Sequence, residues 1–236
     1  MTQLQNQLNP IQMRGPSAAS RRREPVHLEL IEASDRDRAA LEAYIGEVFA
    51  RVYGARVTHF MPRLIGLRGE GGRLVAALGM RSAAGGPLFL ERYLDDPVER
   101  LLRVRTGRAA HRAQIMELGN LAAEQPGSSR RLIMNLAVCL HRAGFAWVVF
   151  TITPSLVNSF RRLELDLICL GPARKERLTP AARAAWGGYY ESGPRVYAAY
   201  IPQGLPRIRT LLLPGAGSLG SGPAPERGRR TFTLTG

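Results

Sequence analysis

Residues 124–130 read Glu-Gln-Pro-Gly-Ser-Ser-Arg and lie between a strand-like apolar run and a helix-like one. A loop in that position turns its backbone N–H groups and the positive end of the helix dipole toward one point, which suits an anion. Gly127 lets the backbone come close, and Ser128, Ser129 and Arg130 add donors. A phosphate of coenzyme A or of an acyl-carrier phosphopantetheine fits such a cradle. The alternative is an ordinary β-to-α loop with serines as helix caps. This loop holds no full Walker sequence and no GxGxxG, so it does not point to ATP or NAD.

Just upstream, Glu117 and Asn120 interrupt a run of buried-type residues, 114–122. A carboxylate on a central strand is costly unless it is paired or functional, and desolvation raises its pKa toward the range of a general base. Its other reading is a structural ion pair with one of the many arginines. Residues 89–99 carry an acidic patch in which helix capping accounts for Asp96 and Glu99, leaving Glu91 and Tyr93 free to face a substrate. His59, His111 and His141 are isolated and no two have the spacing of a shared metal site, so no metal centre is expected. Neither a Gly-Xaa-Ser-Xaa-Gly elbow nor a Cys/His pairing is present, which favours direct transfer over a covalent intermediate.

These residues need elements to hold them. Ser34 can cap a helix whose apolar residues Leu41, Tyr44, Ile45, Val48, Phe49 and Val52 recur at spacings of three and four up to Gly54. Residues 63–68 and 74–80 flank Glu70, Gly71 and Gly72 as a β-hairpin. Asp96, Pro97 and Glu99 form a helix start of the capping-box kind, with the helix ending before Gly107. Strand 114–122, helix 130–143 and the continuously apolar strand 147–153 form a βαβ unit, which implies parallel strands. A short helix from Thr153 and Pro154, a strand over 167–170, a helix from Thr179 to Trp186 and a strand over 195–201 complete a mixed central sheet with flanking helices, an α/β fold.

Residues 1–25 lack an apolar period and 203–236 are rich in Pro, Gly and Arg, so both are expected to be disordered around a single domain over 26–202. Half of the net charge of +14 lies in those ends, +3 in the first and +4 in the second. With no aromatic-basic stripe accompanying it, the charge does not indicate nucleic-acid binding. The Arg-rich ends leave room for peripheral contact with an anionic membrane. Cys139 and Cys169 sit in apolar runs and supply no disulfide framework, and no signal peptide or spanning stretch is evident, so a cytoplasmic location is expected.

Five segments, 89–95, 117–122, 147–153, 158–163 and 186–191, together resemble the thermostable hemolysin family, whose fold is similar to that of the GNAT and acyl-homoserine-lactone synthase superfamily. The resemblance implies a GNAT-like acyltransferase domain that takes acyl-CoA or an acyl-carrier protein as co-substrate, holds no tight cofactor and acylates a small amine. Glu117 falls where the lactone synthases have the Glu of Glu-Xaa-Ser-Arg-Phe, and Asn120 replaces the Arg of that segment. Phe160 stands where many GNAT enzymes carry a Tyr that protonates the leaving thiolate. The expectation is that Glu117 acts as base and Asn120 orients substrate. Gln125, Gly127, Ser128, Ser129 and Arg130, with Asn158, would hold the phosphopantetheine arm in the splay between two strands. A membrane-active hemolysin and a GNAT-like binding module without catalysis are the alternatives.

Overall fold

The computed structural model describes residues 29–32, 35–124 and 127–213. Its centre is a seven-stranded mixed sheet in the order β1-β2-β3-β4-β5-β7-β6. The strands are β1 (Glu29–Glu32), β2 (Arg63–Arg68), β3 (Leu74–Ser82), β4 (Ile115–Ala123), β5 (Trp147–Ile152), β6 (Ile168–Pro172) and β7 (Arg195–Tyr200). The helices are α1 (Asp35–Tyr53), α2 (Val98–Thr106), α3 (Ser128–Arg142), α4 (Pro154–Arg161), α5 (Pro180–Ala185) and α6 (Ile201–Leu212). The hairpin, the βαβ unit and the later elements lie where their apolar periods place them. The cap expected at Ser34 falls outside the described residues.

Alternation along each strand divides the apolar residues between two faces. Leu78, Met80, Met116, Leu118, Val148, Phe150 and Ile152 pack with α3, α4 and α6 on one face. Ile115, Trp147, Val149, Val196 and Ala198 pack with α2 and the turn of 3₁₀ helix Phe89–Tyr93 on the other, where α1 covers Leu64, Ala77 and Ala122. β5 is buried on both faces apart from the partly exposed Thr151, as its continuous apolar sequence requires.

Two expectations need correction. The domain does not end at residue 202: α6 continues to Leu212 and packs on α3, with Ile201, Leu205 and Ile208 in the core. Proline and glycine there do not stop the helix. Pro202 occupies the first turn, where the missing N–H has no acceptor to lose, and Pro206 removes one bond. Against a penalty of about 3 kcal/mol for an interior proline, burying Leu205 and Ile208 contributes about 1.5–3 kcal/mol each.

The second correction concerns the start of α2. Its N-cap is Pro97, and Asp96 pairs instead with Arg100 (2.8 Å). Glu91 supplies the capping carboxylate, its Oε1 accepting from the Val98 amide (3.0 Å).

Candidate active site

Where β4 and β5 begin, they are joined as a parallel ladder from Ile115 opposite Trp147 to Leu118 opposite Phe150. The ladder stops there, although β4 runs on to Ala123 and β5 to Ile152, so the strands part. On its other flank β4 stays paired with β3 as far as Ala123, but the register shifts between Ala77 and Gly79. Asn120 sits in this irregularity with φ 48°, a left-handed conformation that Asn tolerates better than most residues. The splay opens into a cavity of about 830 Å³. Leu118, Ile133, Phe150 and Ile152 line it from one face of the sheet, and Glu117, Phe89, Tyr93, Trp186 and Tyr189 from the other, so it passes through the gap.

Glu117 is 2% exposed and lines this cavity. Among the described residues its carboxylate is in no ion pair. Oε2 accepts the Phe89 amide and Oε1 the Leu90 amide, both at 2.9 Å. Burial pushes its pKa up, while the two amides and the positive charge of Arg81, its cross-strand neighbour, oppose the shift. Each carboxylate oxygen retains a second lone pair, so the group can still take a proton.

Asn120 lines the cavity but acts on the protein itself. Its Oδ1 accepts the Met61 amide (3.0 Å) and its Nδ2 donates to the His59 carbonyl (3.4 Å). This clasp holds the segment 56–61, every residue of which lines the cavity. Met61 then lies over Gly79 and Gly119: a Cβ at Gly79 would come within 2.6 Å of Met61 Cβ, and one at Gly119 within 2.5 Å of its Cε. The two glycines are the seat for that methionine.

Tyr93 lines the cavity, its hydroxyl bonded to that of Tyr190 and its pKa driven up by burial. Glu91, expected beside it, is not in the lining. It binds the Leu88 amide (2.7 Å), the Val98 amide and Arg112 (2.8 Å), and its pKa is held down despite desolvation because the Arg112 guanidinium and these amides favour the charged form. Arg112 also reaches Glu99 and the carbonyls of Ala83 and Gly86. This pair therefore fastens the segment that presents Phe89 and Leu90 to Glu117.

At the other end of β4, Gly127 is the N-cap of α3 with φ 88°. The first N–H groups of α3 have no intrahelical acceptor. Ser129 lines the cavity, Ser128 is buried, and Gln125 lies outside the described residues. Glu124, the acid of this loop, is neutralised by Arg51 (3.1 Å) and Arg73 (3.0 Å). From α4, Ser155, Leu156 and Ser159 line the cavity, whereas Asn158 is exposed and turned away. Phe160 is likewise not in the lining; it is 3% exposed and stacked against Phe150.

Sequence reasoning missed much of the wall. Phe49, Tyr53, Trp186, Tyr189 and Tyr190 form one aromatic group with centroids 5.1–6.3 Å apart. Arg81 and Arg92 bring positive charge, Arg92 over the ring of Phe89 at 4.8 Å. The aromatic residues in 186–191 are a visible sequence signal, but nothing local says what they face. Among the described residues no group of three potential ligands could hold a metal, and no helix is long and apolar enough to cross a membrane.

The sequence model of one family, described as thermostable hemolysin, matches residues 31–205. No curated protein sequence matches the chain. Among solved structures it is similar to TofI, in a ternary complex with an inhibitor and MTA, at 18% identity and TM-score 0.54, over 77% of this chain and 96% of that one. It is also similar to FeeM, an N-acyl amino acid synthase from uncultured soil microbes, at 13% identity and TM-score 0.50, over 75% and 93%. BjaI, a CoA-dependent acyl-homoserine lactone synthase solved with SAM and isopentyl-CoA, gives 14% and 0.50, over 78% and 89%. The chain shares the fold of these three proteins.

Proposed function

We propose that this chain, which belongs to the thermostable hemolysin family, transfers an acyl group from a pantetheine thioester, acyl-CoA or acyl-carrier protein, to a small amine. The observation that carries this reading is the splay of β4 from β5 with a buried carboxylate at its closed end and a helix N-terminus at its open end. Beyond Leu118, the β4 amides that point toward β5 have no acceptor there. A pantetheine arm, with its own amides, can lie along β4 and satisfy them. Its phosphate would meet Gly127, Ser128, Ser129 and Arg130.

The thioester carbon then lies near Leu118, within reach of Glu117. The amine nitrogen forms a bond to that carbon and the C–S bond breaks. Glu117 takes the amine proton, directly or through a water, and the thiolate leaves. With Phe160 turned into the core, no aromatic hydroxyl from that position protonates the sulfur. A thiolate leaves without such help, and the proton held by Glu117 can return to it. Glu117 is the catalytic residue of this scheme. Asn120 is a positioning residue, acting through segment 56–61. Arg81 and Arg92 give the acceptor end positive charge, which suits an amine that also carries an acid group.

The test is release of free thiol from acyl-CoA or acyl-carrier protein that depends on added amine. Thioester at ~100 times its dissociation constant should also raise stability by about 2.7 kcal/mol. Dye leakage from liposomes without thioester turnover would instead favour the membrane-active alternative, and thioester binding without turnover the non-catalytic one.

A further inference from the structure

A second cavity, of about 150 Å³, lies beneath α6 and shares Ile133 and Phe150 with the large one. The two follow one another along the same elements. On α3 the lining passes from Ser129 to Ile133 to Ala137, a single stripe at spacing four, and on β5 from Ile152 to Phe150 to Val148, alternate residues of one face. Phe160 stacks on Phe150 and lines only the smaller cavity. At its rim the polar groups satisfy one another: Glu164 pairs with Arg207 (3.2 Å), and Gln203 donates to Asp166 (3.0 Å). The interior is left apolar.

A largely apolar pocket of this kind favours an apolar guest, because filling it removes apolar surface from water. Through Ile133 and Phe150 it adjoins the splay where the thioester would end. We infer that this cavity receives the distal part of the donor's acyl chain, that Ile133 and Phe150 form the neck between the two spaces, and that Phe160 is a wall of the acyl chamber. The inference rests on the thioester reading above and adds the donor class, an acyl chain long enough to pass the neck. It also accounts for a phenylalanine at 160, since a tyrosine there would carry an unsatisfied hydroxyl into an apolar space.

Gly204 gives a direct test. It is helical, its φ is not positive, and an added Cβ would meet Leu165 Cδ2 at 3.5 Å and Ile208 Cδ1 at 3.7 Å, ordinary contacts that place it in the chamber wall. Affinities of acetyl-, hexanoyl- and dodecanoyl-CoA, and of free dodecanoate, are measured by titration on the full chain and on Gly204→Leu, with Gly204→Ala as the milder filling. In the unaltered protein affinity should rise about fourfold per buried methylene once the chain passes the neck. The ratio of dodecanoyl- to acetyl-CoA affinity should fall at least tenfold in Gly204→Leu and less in Gly204→Ala. Identical length profiles in all three proteins overturn the chamber and leave the donor reading standing. If no thioester binds at any length, the donor reading falls and dodecanoate decides: binding that Gly204→Leu abolishes supports the chamber, and no binding overturns it. Phe160→Tyr should weaken dodecanoyl-CoA binding, and a gain in turnover would place residue 160 at the leaving sulfur instead.

Discussion

Residues 116–118 of β4 are paired on both flanks, with β3 and with β5, whereas Gly119, Ala122 and Ala123 keep only a β3 partner and the strand is irregular at Asn120. The first half holds one polar side chain, Glu117, and fixes it by two backbone amides. The second half also holds one, Asn120, whose side-chain amide clasps segment 56–61, and it provides glycine surface for Met61. The contrast teaches that the proposed base sits where the sheet is most constrained, and that the cavity beside it comes from pairing that is withheld one residue later.

Glu117→Gln strikes the constrained half and should have the largest effect. The amide cannot take the amine proton, so turnover should fall roughly 100-fold to 10,000-fold. Only one of its two terminal atoms can accept, so one of the Phe89 and Leu90 amides is stranded, at about 1–3 kcal/mol of stability. Melting temperature and turnover on one preparation separate these losses, and a variant that melts early yet stays active removes the catalytic role.

The same residue sets a pH dependence. Because folding raises its pKa, the folded chain binds its proton more tightly than the unfolded one. The stability contribution of Glu117 therefore falls as pH rises from the ordinary carboxylate range through the raised value. Activity should rise through that window, and the limb should vanish from the residual activity of the Gln variant. Glu91, with a lowered pKa, works the other way: its contribution is present above the ordinary range and is lost as pH falls.

In the open half, Gly79→Ala should cost about 1–3 kcal/mol, because its Cβ meets the Cβ of Met61 and the backbone of segment 56–61 must move. Gly119→Ala meets the flexible end of that side chain, Cε and Sδ, and should cost less; equal melting of the two would show that the methionine seat is loose. Asn120→Gly keeps the left-handed backbone and removes the clasp. It should raise KM roughly tenfold, short of the 100-fold that a 1 Å misplacement can cost, with kcat less affected. An unchanged KM would detach segment 56–61 from binding. The smallest effect is expected of Gly127→Val, where φ 88° and the Arg130 side chain 3.2 Å away disfavour a Cβ. CoA affinity should fall by a factor of a few with the fold retained, and unchanged affinity takes the loop out of the site.

How much of this was legible in the sequence follows from how local each cause is. The βαβ unit was readable because the apolar stripe of α3 and the unbroken run of β5 are patterns within one segment. Glu117 stood out because a carboxylate in a buried strand is anomalous wherever its partners lie. Those partners, the amides of Phe89 and Leu90, were not readable: a backbone amide looks the same at every position, and the 3₁₀ turn that aims them is held by Arg112 from another segment. Glu91 was read as free for substrate for that reason. The end of the domain was misplaced because Pro202, Gly204 and Pro206 dominate the local signal, although Ile201, Leu205, Ile208 and Leu212 recur at spacings of four, three and four.

The hydroxyls of Tyr93 and Tyr190 join positions 97 residues apart. At synthesis rates of about 5–20 residues per second, roughly 5–20 s pass between the appearance of one partner and the other. For nearly all of that interval Phe49 and Phe89 have been made while Trp186 and Tyr189, which complete their wall, have not. Once these residues clear the ribosome, the nascent chain therefore exposes the apolar surface of this cavity for seconds. It is in that window, rather than in the finished protein, that this fold has most need of a chaperone.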